Sequence, residues 1–336
     1  MILVTGATGI LGRVIVLYLL QQGKKVRATK RPNSNLEDVR KSFAFYTENP
    51  DFYFEKIEWY NVDFDDIQSL ENAVSGVEEV YHCAAKVSFH PNRKFEMYHT
   101  NIEGTKQLLY ACQNTAVKKF CFISSIAVLD GLNENGEMDE NSDFNHKLLH
   151  SAYAKSKHFS EMEVWRASAE GMNVVIVNPG IFIGSGNWKS SSGEMFQSLE
   201  KSPFSFSGSS AYIDVRDVAK ISIDLMDKNI FDQRFILISE NKKYQEIANF
   251  VKNKSGQKPV KVLSSGVLQF GIVLGNIFGW AFPILKMLNK TNIEALTSNN
   301  QISNQKIKNQ LNYQFIPVLE SLNFHWKNYI KNQTKA

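Results

Sequence analysis

The sequence of 336 residues is poor in cysteine, glycine and proline. Its three cysteines, Cys83, Cys112 and Cys121, are too few for a disulfide scaffold, and their spacing does not suit a zinc site. With 19 glycines and 8 prolines, the sequence is not collagen-like or of low complexity. It has no basic segment followed by an apolar run and a cleavage site. We therefore expect a cytoplasmic protein whose thiols are structural.

Arginine and aspartate are absent from the last part of the chain. Residues 241–336 contain thirteen lysines and three glutamates and carry a net charge of +10. The whole chain carries only +4, so residues 1–240 carry −6. The small total argues against a nucleic-acid partner. Its uneven distribution indicates two regions with different roles.

The sequence has enough apolar residues, 43% of the total, to bury a large core. Short apolar runs alternate with helix-length segments over the first 240 residues, which predicts an α/β fold with a doubly wound parallel sheet. The polar segment 130–146 and the Gly- and Ser-rich segment 184–210 are predicted as loops. The predicted strands contain residues 2–4, 26–28, 77–81, 120–123, 174–177 and 235–238, and the predicted helices residues 11–22, 100–114, 152–169 and 215–227.

A glycine-rich turn follows the first apolar run. Gly6, Gly9 and Gly12 lie between the first predicted strand and an amphipathic helix. Such a turn lets a pyrophosphate approach bare backbone amides and the positive end of the helix. Because a strand precedes the glycines and a helix follows them, the turn predicts a dinucleotide site.

The end of the second predicted strand indicates which dinucleotide binds. An acidic residue there binds the ribose 2′-hydroxyl of NAD, whereas a cation suits the 2′-phosphate of NADP. Lys30 and Arg31 occupy this point, and Arg31 offers planar donors suited to phosphate. We therefore predict NADP, with NAD as the weaker alternative. Asp63 is placed to accept a hydrogen bond from the adenine amino group, because Asp65 and Asp66 lie closer to the next helix and suit its N-cap better.

Tyr153 and Lys157 are one helical turn apart, so they lie on one face of their predicted helix. This spacing is uninformative alone. However, Ser124 and Ser125 end a predicted strand, and Tyr153 and Lys157 lie one strand–loop segment later in the chain. Ligands of open α/β sheets bind at the carboxyl ends of the strands. These side chains are therefore predicted to lie at the ligand-binding edge.

Taken together, the motifs resemble those of the extended short-chain dehydrogenase/reductase family, within the NAD-dependent epimerase/dehydratase superfamily. The resemblance covers roughly residues 1–240. The segment 26–31 looks most like the dihydroflavonol reductase and 3β-hydroxysteroid dehydrogenase branch, many of whose members use NADP. The matching elements are Thr5-Gly6-x-x-Gly9-x-x-Gly12, Asp63, His82-Cys83-Ala84-Ala85, Asn101-x-x-Gly104-Thr105, Ser124-Ser125, Tyr153-x-x-x-Lys157, Asn178-Pro179-Gly180 and Asp214-Val215-Arg216-Asp217-Val218-Ala219.

The resemblance implies an oxidoreductase that interconverts a carbonyl and a secondary alcohol by hydride transfer. Tyr153 would be the general acid/base, Lys157 would lower its pKa and hold the nicotinamide ribose, and Ser125 would orient the substrate oxygen. Ser125 is preferred to Ser124 because the family places the catalytic hydroxyl second in the pair. No metal ligand is predicted. The implied cofactor-binding residues are Gly6, Thr8, Gly9, Ile10, Leu11, Lys30, Arg31, Asp63, Phe64, Ala84, Ala85, Lys86, Asn101, Tyr153, Lys157, Pro179, Gly180, Ile181 and Phe182.

One departure from the family pattern excludes a subclass. Sugar-nucleotide dehydratases of the family have Asp-Glu after the catalytic hydroxyl, whereas Ile126 and Ala127 stand here. Neither side chain can carry a proton, so a dehydratase is disfavoured and an epimerase is not. His82 and His90 are interpreted as structural or solvated residues rather than bases.

The resemblance also implies a smaller, mainly helical C-terminal lobe for the substrate. We expect residues 1–179 and 212–240 to form the dinucleotide-binding domain, and 180–211 and 241–336 the substrate lobe. After Asn178 the only arginines are Arg216 and Arg234, which weakens a nucleotide-sugar substrate because arginine usually clamps its diphosphate. A closing amphipathic helix is predicted over 318–329.

Residues 262–285 contain no charged side chain. Three alternatives remain open for this uncharged segment. It lines an apolar substrate pocket, it lies in a membrane interface near lysines that attract anionic lipid, or it spans a membrane. The first is favoured, and the second makes peripheral membrane association an alternative to a purely cytoplasmic location.

Three functions remain open at this point. The favoured one is an NADP-dependent oxidoreductase acting on an apolar small molecule. The second is a nucleotide-sugar epimerase with permanently bound NAD, and the third is a non-catalytic dinucleotide sensor. Because relatives are often dimers, a homodimer is a further expectation.

Overall fold

The computed structural model describes residues 1–88, 93–113, 115–188, 194–278 and 289–334, with the backbone alone for 273–278. Its strands are β1 (Ile2–Thr5), β2 (Val26–Lys30), β3 (Glu58–Asn61), β4 (Glu79–His82), β5 (Lys119–Ile123), β6 (Glu137–Met138), β7 (Asn173–Pro179), β8 (Ile181–Ile183), β9 (Phe204–Phe206), β10 (Ser209–Asp214), β11 (Gln233–Leu237), β12 (Glu240–Lys243), β13 (Lys261–Leu263) and β14 (Gln301–Ile302).

Helices connect most of these strands. A π-helical turn, His99–Glu103, joins α5 to α6, and a short 3₁₀ turn, Ile126–Val128, follows β5. The α-helices are α1 (Ile10–Gln21), α2 (Leu36–Phe43), α3 (Pro50–Phe54), α4 (Ile67–Val74), α5 (Lys94–Tyr98), α6 (Gly104–Cys112), α7 (Ala152–Ala169), α8 (Met195–Lys201), α9 (Val215–Asp227), α10 (Tyr244–Lys254), α11 (Ser265–Phe278), α12 (Lys290–Thr297), α13 (Gln305–Leu311) and α14 (Val318–Gln333).

Seven strands form one parallel sheet in the order β11-β7-β5-β4-β1-β2-β3. The direction of strand addition reverses between β1 and β4, which is the arrangement of a Rossmann-type doubly wound fold. The predicted fold class is therefore confirmed, and all six predicted strands belong to this sheet. The seventh strand, β3, lies at the edge of the sheet. Its residues are exposed or half-buried and form no continuous apolar run, so the sequence pattern did not predict it.

Alternate residues of the central strands supply two apolar layers, one on each face of the sheet. Val4 and Cys121 pack with helices α1 and α9, whereas their neighbours Leu3 and Phe120 pack with helices α4, α6 and α7. Both faces are covered, so each central strand is apolar throughout. This is why the strands were visible in the sequence as short continuous apolar runs.

Beyond the main sheet the chain forms smaller sheets and helices. Strand β10 pairs parallel with β8 and antiparallel with β12. The prediction of a continuous loop over 184–210 was wrong, because the described part contains α8 and the short strand β9. The predicted loop over 130–146 contains only the two-residue strand β6. Helix α14 confirms the amphipathic helix predicted near the C-terminus.

The uncharged segment 262–285 begins with the end of β13 and continues into α11. Residues 279–288 lie outside the described part of the chain. Val267 and Phe270, one turn apart on α11, are 55% and 63% exposed. Among the residues that the structure describes, no helix has both the length and the apolar character needed to cross a membrane.

A buried polar cluster attaches α14 to the rest of the fold. His325 Nε2 lies 3.1 Å from Asp214 Oδ2, and its Nδ1 lies 2.6 Å from Ser185 Oγ. Arg216 donates from Nη2 to Asp214 at 2.7 Å, and so does the Ser321 hydroxyl. Ser185, Asp214 and His325 are at most 1% exposed, so no substrate reaches this serine–histidine–aspartate arrangement. It acts as a structural connection.

We expect Asp214→Asn to lower the free energy of unfolding by about 3 kcal/mol, because it removes the buried carboxylate that pairs with the partly buried Arg216 and with His325. Burial opposes ionisation of Asp214, but hydrogen bonds from Arg216 and His325 outweigh it and hold the carboxyl pKa well below its usual range. This stabilisation is therefore present at neutral pH and is lost only as the pH falls below about 4. Urea denaturation at pH 7 measures it.

The matched control is Asp143→Asn, since the Asp143 carboxylate is 91% exposed and pairs with Arg234 at 3.0 Å. That change should cost less than about 0.5 kcal/mol. Equal urea midpoints for the two variants would show that the buried cluster does not stabilise the fold.

Candidate active site

The glycine-rich turn between β1 and α1 leaves no room for side chains. Gly6 has φ +64°, and a Cβ there would lie 2.6 Å from the Ala84 nitrogen. A Cβ on Gly12 would lie 2.4 Å from the Gly6 carbonyl oxygen. Among the residues that the structure describes, no side chain caps the first turn of α1 at Gly9. The turn therefore presents free backbone amides at a positive helix end, and it fits the pyrophosphate of a dinucleotide.

Arg13 is part of this turn although the sequence analysis did not select it. The side chain is 2% exposed. Its guanidinium donates from Nε to the Gly9 carbonyl at 3.1 Å and from Nη2 to the Thr8 carbonyl. Burial lowers the Arg13 pKa to about 10. Arg13 thus binds two carbonyl oxygens of the turn and adds positive charge beside them.

The two cations at the end of β2 differ in their surroundings. Lys30 Nζ donates to Asn61 Oδ1 of β3 at 2.6 Å. The Arg31 side chain is exposed, and its guanidinium has no hydrogen bond or ion pair within the described ranges. Asp63 is also exposed, and its carboxylate accepts from the Asp65 amide at 3.0 Å. Asp66 caps α4 through the Gln68 amide, as the sequence predicted.

Asn101 ties the loop after β4 to helix α7. Its side-chain amide exchanges two hydrogen bonds with the backbone of Lys86, at 2.7 and 3.0 Å, and donates to Ser156 Oγ at 2.9 Å. Its carbonyl, in the π-helical turn, accepts from Ser160 Oγ at 2.7 Å. Lys86 pairs with Glu96 through its ammonium group. Asn101 therefore fixes the loop containing Ala84, Ala85 and Lys86 against the helix of Tyr153.

The proposed catalytic side chains meet at the carboxyl end of β5. Ser125 follows β5, and its hydroxyl lies close enough to that of Tyr153 to lower the phenol pKa. Lys157, one turn further along α7, is 2% exposed. Its Nζ donates to the Ile123 carbonyl at 2.5 Å and lies 4.2 Å from the centre of the Phe122 ring. The structure thus brings the three residues together at the ligand-binding edge.

Burial dominates the protonation of Tyr153 and Lys157. It raises the Tyr153 pKa above its ordinary value, and the nearby Ser125 hydroxyl compensates only in part. It lowers the Lys157 pKa to about 8, against the opposing charge of Glu161. The contacts within the protein therefore shift the Tyr153 pKa upward. The expected lowering by Lys157 stays a prediction.

His82 is a structural residue, as the sequence indicated. Its Nδ1 lies 2.7 Å from Thr5 Oγ1 and its Nε2 lies 2.9 Å from Thr105 Oγ1. Because the Thr105 hydroxyl donates to the Asn101 carbonyl at 2.6 Å, it accepts from His82 Nε2. Burial lowers the His82 pKa to about 3. His90 lies outside the described residues.

The remaining predicted cofactor residues border the same edge. Ile10 and Leu11 begin α1, and Phe64 packs near the π-helical turn. Pro179 ends β7, and Ile181 and Phe182 lie in β8. Between them Gly180 allows close packing, because a Cβ there would lie 2.4 Å from the Ala211 carbonyl oxygen.

The fold, the phosphate-binding turn and the Ser–Tyr–Lys cluster together define a dinucleotide-dependent enzyme. A family model described as the NAD-dependent epimerase/dehydratase family matches residues 2–234. The chain belongs to the NAD-dependent epimerase/dehydratase family. The predicted membership of the extended short-chain dehydrogenase/reductase group is thereby confirmed, and the protein is an NAD(P)-dependent enzyme.

Known proteins resemble the chain in sequence and in fold. It is 28% identical over 281 residues to sterol demethylase protein B of Methylococcus capsulatus, covering 81% of this chain and 80% of that protein. It is 29% identical over 219 residues to a candidate dihydroflavonol 4-reductase of Synechocystis, covering 64% and 60%. The fold resembles a nucleoside-diphosphate-sugar epimerase from Pseudomonas aeruginosa, with TM-score 0.78, 17% identity and coverage of 98% and 97%.

We expect Gly12→Ala to weaken dinucleotide binding at least about tenfold, because the added methyl group forces the turn apart. Fluorescence titration of the purified variant measures the dissociation constant. Gly23→Ala is the control, since Gly23 has φ +76° but no atom within 4 Å of an added Cβ. It should cost about 1 kcal/mol of stability without affecting binding. Unchanged affinity in Gly12→Ala would contradict the assigned phosphate site.

Proposed function

We propose that the protein is an NADP-dependent oxidoreductase that interconverts a carbonyl and a secondary alcohol on an apolar small molecule. One observation carries this proposal. Ser125 and Tyr153 lie side by side next to the buried Lys157, at the same sheet edge as the glycine-rich turn. A bound nicotinamide supplies or accepts the hydride there. The protein residues must handle the proton.

Tyr153 is the proposed proton donor to a carbonyl oxygen, and the acceptor in the reverse direction. Ser125 holds the substrate oxygen beside the phenol through its hydroxyl. The raised pKa of Tyr153 keeps the phenol protonated, which suits reduction. The positive charge of Lys157 favours the phenolate left after proton transfer. Positioned proton transfer of this kind contributes roughly 10²–10⁴-fold to a rate.

Tyr153→Phe should therefore reduce NADPH-dependent turnover of hydrophobic ketones by about 10³-fold. The affinity for NADPH should stay within about threefold, because the ring remains in place. Tyr110→Phe is the control, since Tyr110 is 42% exposed on α6. Turnover that survives Tyr153→Phe unchanged would contradict the acid/base assignment.

The exposed guanidinium of Arg31 supports NADP as the cofactor. Lys30 is already bonded to Asn61, whereas Arg31 is exposed and available to a 2′-phosphate. A charge-assisted hydrogen bond contributes about 1.5–3 kcal/mol. We therefore assign the larger part of the selectivity to Arg31.

Arg31→Ala should weaken NADPH binding roughly 10- to 100-fold and leave NADH binding unchanged. Lys30→Ala, the neighbouring change, should have a smaller effect. Parallel fluorescence titrations of both cofactors measure these differences. A wild-type protein that binds NADH more tightly than NADPH would refute the NADP assignment.

The substrate lobe supports an apolar substrate. We propose that it consists of residues 180–211 and 241–336, packed against a dinucleotide-binding domain of residues 1–179 and 212–240. The relative named for sterol demethylation is consistent with an apolar substrate class. The exposed Val267 and Phe270 of α11 are available to a hydrophobic ligand. The proposal includes a cytoplasmic location and a homodimer, and a peripheral membrane contact through 262–285 is the alternative to the pocket role of that segment.

A nucleotide-sugar epimerase is the second candidate function. The matching family is named for epimerases, and a nucleoside-diphosphate-sugar epimerase has the same fold. The partners of the two arginines after Asn178 argue against this second candidate. Arg216 forms its ion pair with the buried Asp214, and Arg234 is bonded to the Glu140 carbonyl and to Asp143. Neither is free to clamp a diphosphate. The third candidate, a non-catalytic sensor, does not account for the assembled Ser–Tyr–Lys cluster.

A further inference from the structure

Glu161 is a buried carboxylate to which the proposed chemistry gives no role. It lies on α7, one turn after Lys157, and is 2% exposed. A carboxylate in the interior is costly unless it is hydrogen-bonded or paired. Burial raises its pKa, and contacts with Ser124, Asn178 and Arg234 lower it only in part. Its position beneath the active site therefore needs an explanation.

Asn178 connects Glu161 to the catalytic serine. Its Nδ2 donates one hydrogen to Glu161 Oε1 at 2.7 Å and the other to the Ser125 carbonyl at 3.1 Å. Both partners are acceptors, so they fix which end of the amide faces them. Asn178 Oδ1 is buried, with no hydrogen-bond partner in the part of the chain that the structure describes. The carboxylate thus orients the amide that holds the main chain at Ser125.

Glu161 also supplies negative charge to Lys157. The titratable groups around Lys157 are Tyr153 and Glu161 on its own helix, and His82 and Cys83 at the end of β4. His82 is neutral, and burial raises the thiol pKa of Cys83 well above its ordinary value. Glu161 is therefore the acidic group among these whose negative charge favours protonated Lys157.

Arg234 approaches Glu161 from strand β11. Its Nη1 lies 3.9 Å from Glu161 Oε2, a long ion pair. The guanidinium is bonded more closely to the loop before α7, to the Glu140 carbonyl at 2.7 Å and to Asp143 at 3.0 Å. The Glu161 charge is therefore only partly offset and remains effective at Lys157.

We propose that Glu161 is a positioning residue, which holds Ser125 through Asn178 and keeps Lys157 charged beside Tyr153. It touches neither substrate nor cofactor and acts through these neighbours. The inference rests on the proposed oxidoreductase function. Substitutions of Glu161 can separate the effect of its charge from the effect of its hydrogen bond with Asn178.

Three variants separate the two effects. Glu161→Gln keeps an acceptor for Asn178 without the charge, Glu161→Asp keeps the charge, and Glu161→Ala removes both. We expect kcat for NADPH-dependent ketone reduction to fall about tenfold in Glu161→Gln and about 100-fold in Glu161→Ala, with KM changed less than threefold. The control is Glu163→Gln, since Glu163 lies on the same helix and pairs with Arg166 at 3.0 Å. It should match the wild type.

The pH profile gives the readout that a purely structural role would not move. Activity of the wild type should fall as the pH rises through the Lys157 pKa of about 8. In Glu161→Gln this alkaline limb should move to lower pH, because the charge that favours protonated Lys157 is gone. Glu161→Asp should restore the limb toward the wild-type position. A folded Glu161→Gln with wild-type kcat and an unmoved limb would overturn the proposal.

A second readout is independent of turnover. In protein with ¹³C-labelled lysine, the Lys157 Cε signal is assigned by its loss in Lys157→Arg and titrated by NMR. Its midpoint should be lower in Glu161→Gln than in the wild type, and unchanged in Glu163→Gln. Absence of wild-type turnover on every ketone would refute the oxidoreductase proposal alone. An unchanged Lys157 midpoint in Glu161→Gln would refute the role of Glu161.

Discussion

The burial of Lys157 between β5 and α7 is the constraint on which the rest of the active site depends. An ammonium group in the interior costs several kcal/mol unless its surroundings satisfy it. Here the Ile123 carbonyl, the Phe122 ring and the charge of Glu161 do so. These contacts require α7 to lie directly on the end of β5. The same placement brings Tyr153, one turn earlier, to the Ser125 hydroxyl.

Polar side chains then fix this helix to the cofactor-binding half of the sheet. Asn101 bonds both the loop after β4 and Ser156 of α7, and His82 connects the ends of β1 and α6 through two threonines. The glycine-rich turn and the Ser–Tyr–Lys cluster are therefore held by one buried network. Such a network allows a hydride donor and a proton donor to meet in a defined geometry.

Much of this arrangement was predictable from the sequence, for a physical reason. Strands buried on both faces are continuously apolar, and the helices between them are amphipathic, so the sheet and the bounds of α7 and α9 agree with the pattern. Arg13 and Glu161 were not found, because a single buried charge leaves no periodic signal. Their partners are backbone carbonyls or distant residues such as Asn178. The sequence also gave no reason to separate Lys30 from Arg31, since the bond to Asn61 exists only in the folded sheet.

The most direct test of the account follows the hydride itself. The protein is incubated with NADPH that carries deuterium at both C4 positions of the nicotinamide and with hydrophobic ketones, and the alcohol products are analysed by mass spectrometry. The account predicts one deuterium on the carbinol carbon for each NADPH oxidised. Epimerisation of a nucleotide sugar by protein carrying tightly bound NAD, with no consumption of NADPH, would contradict it.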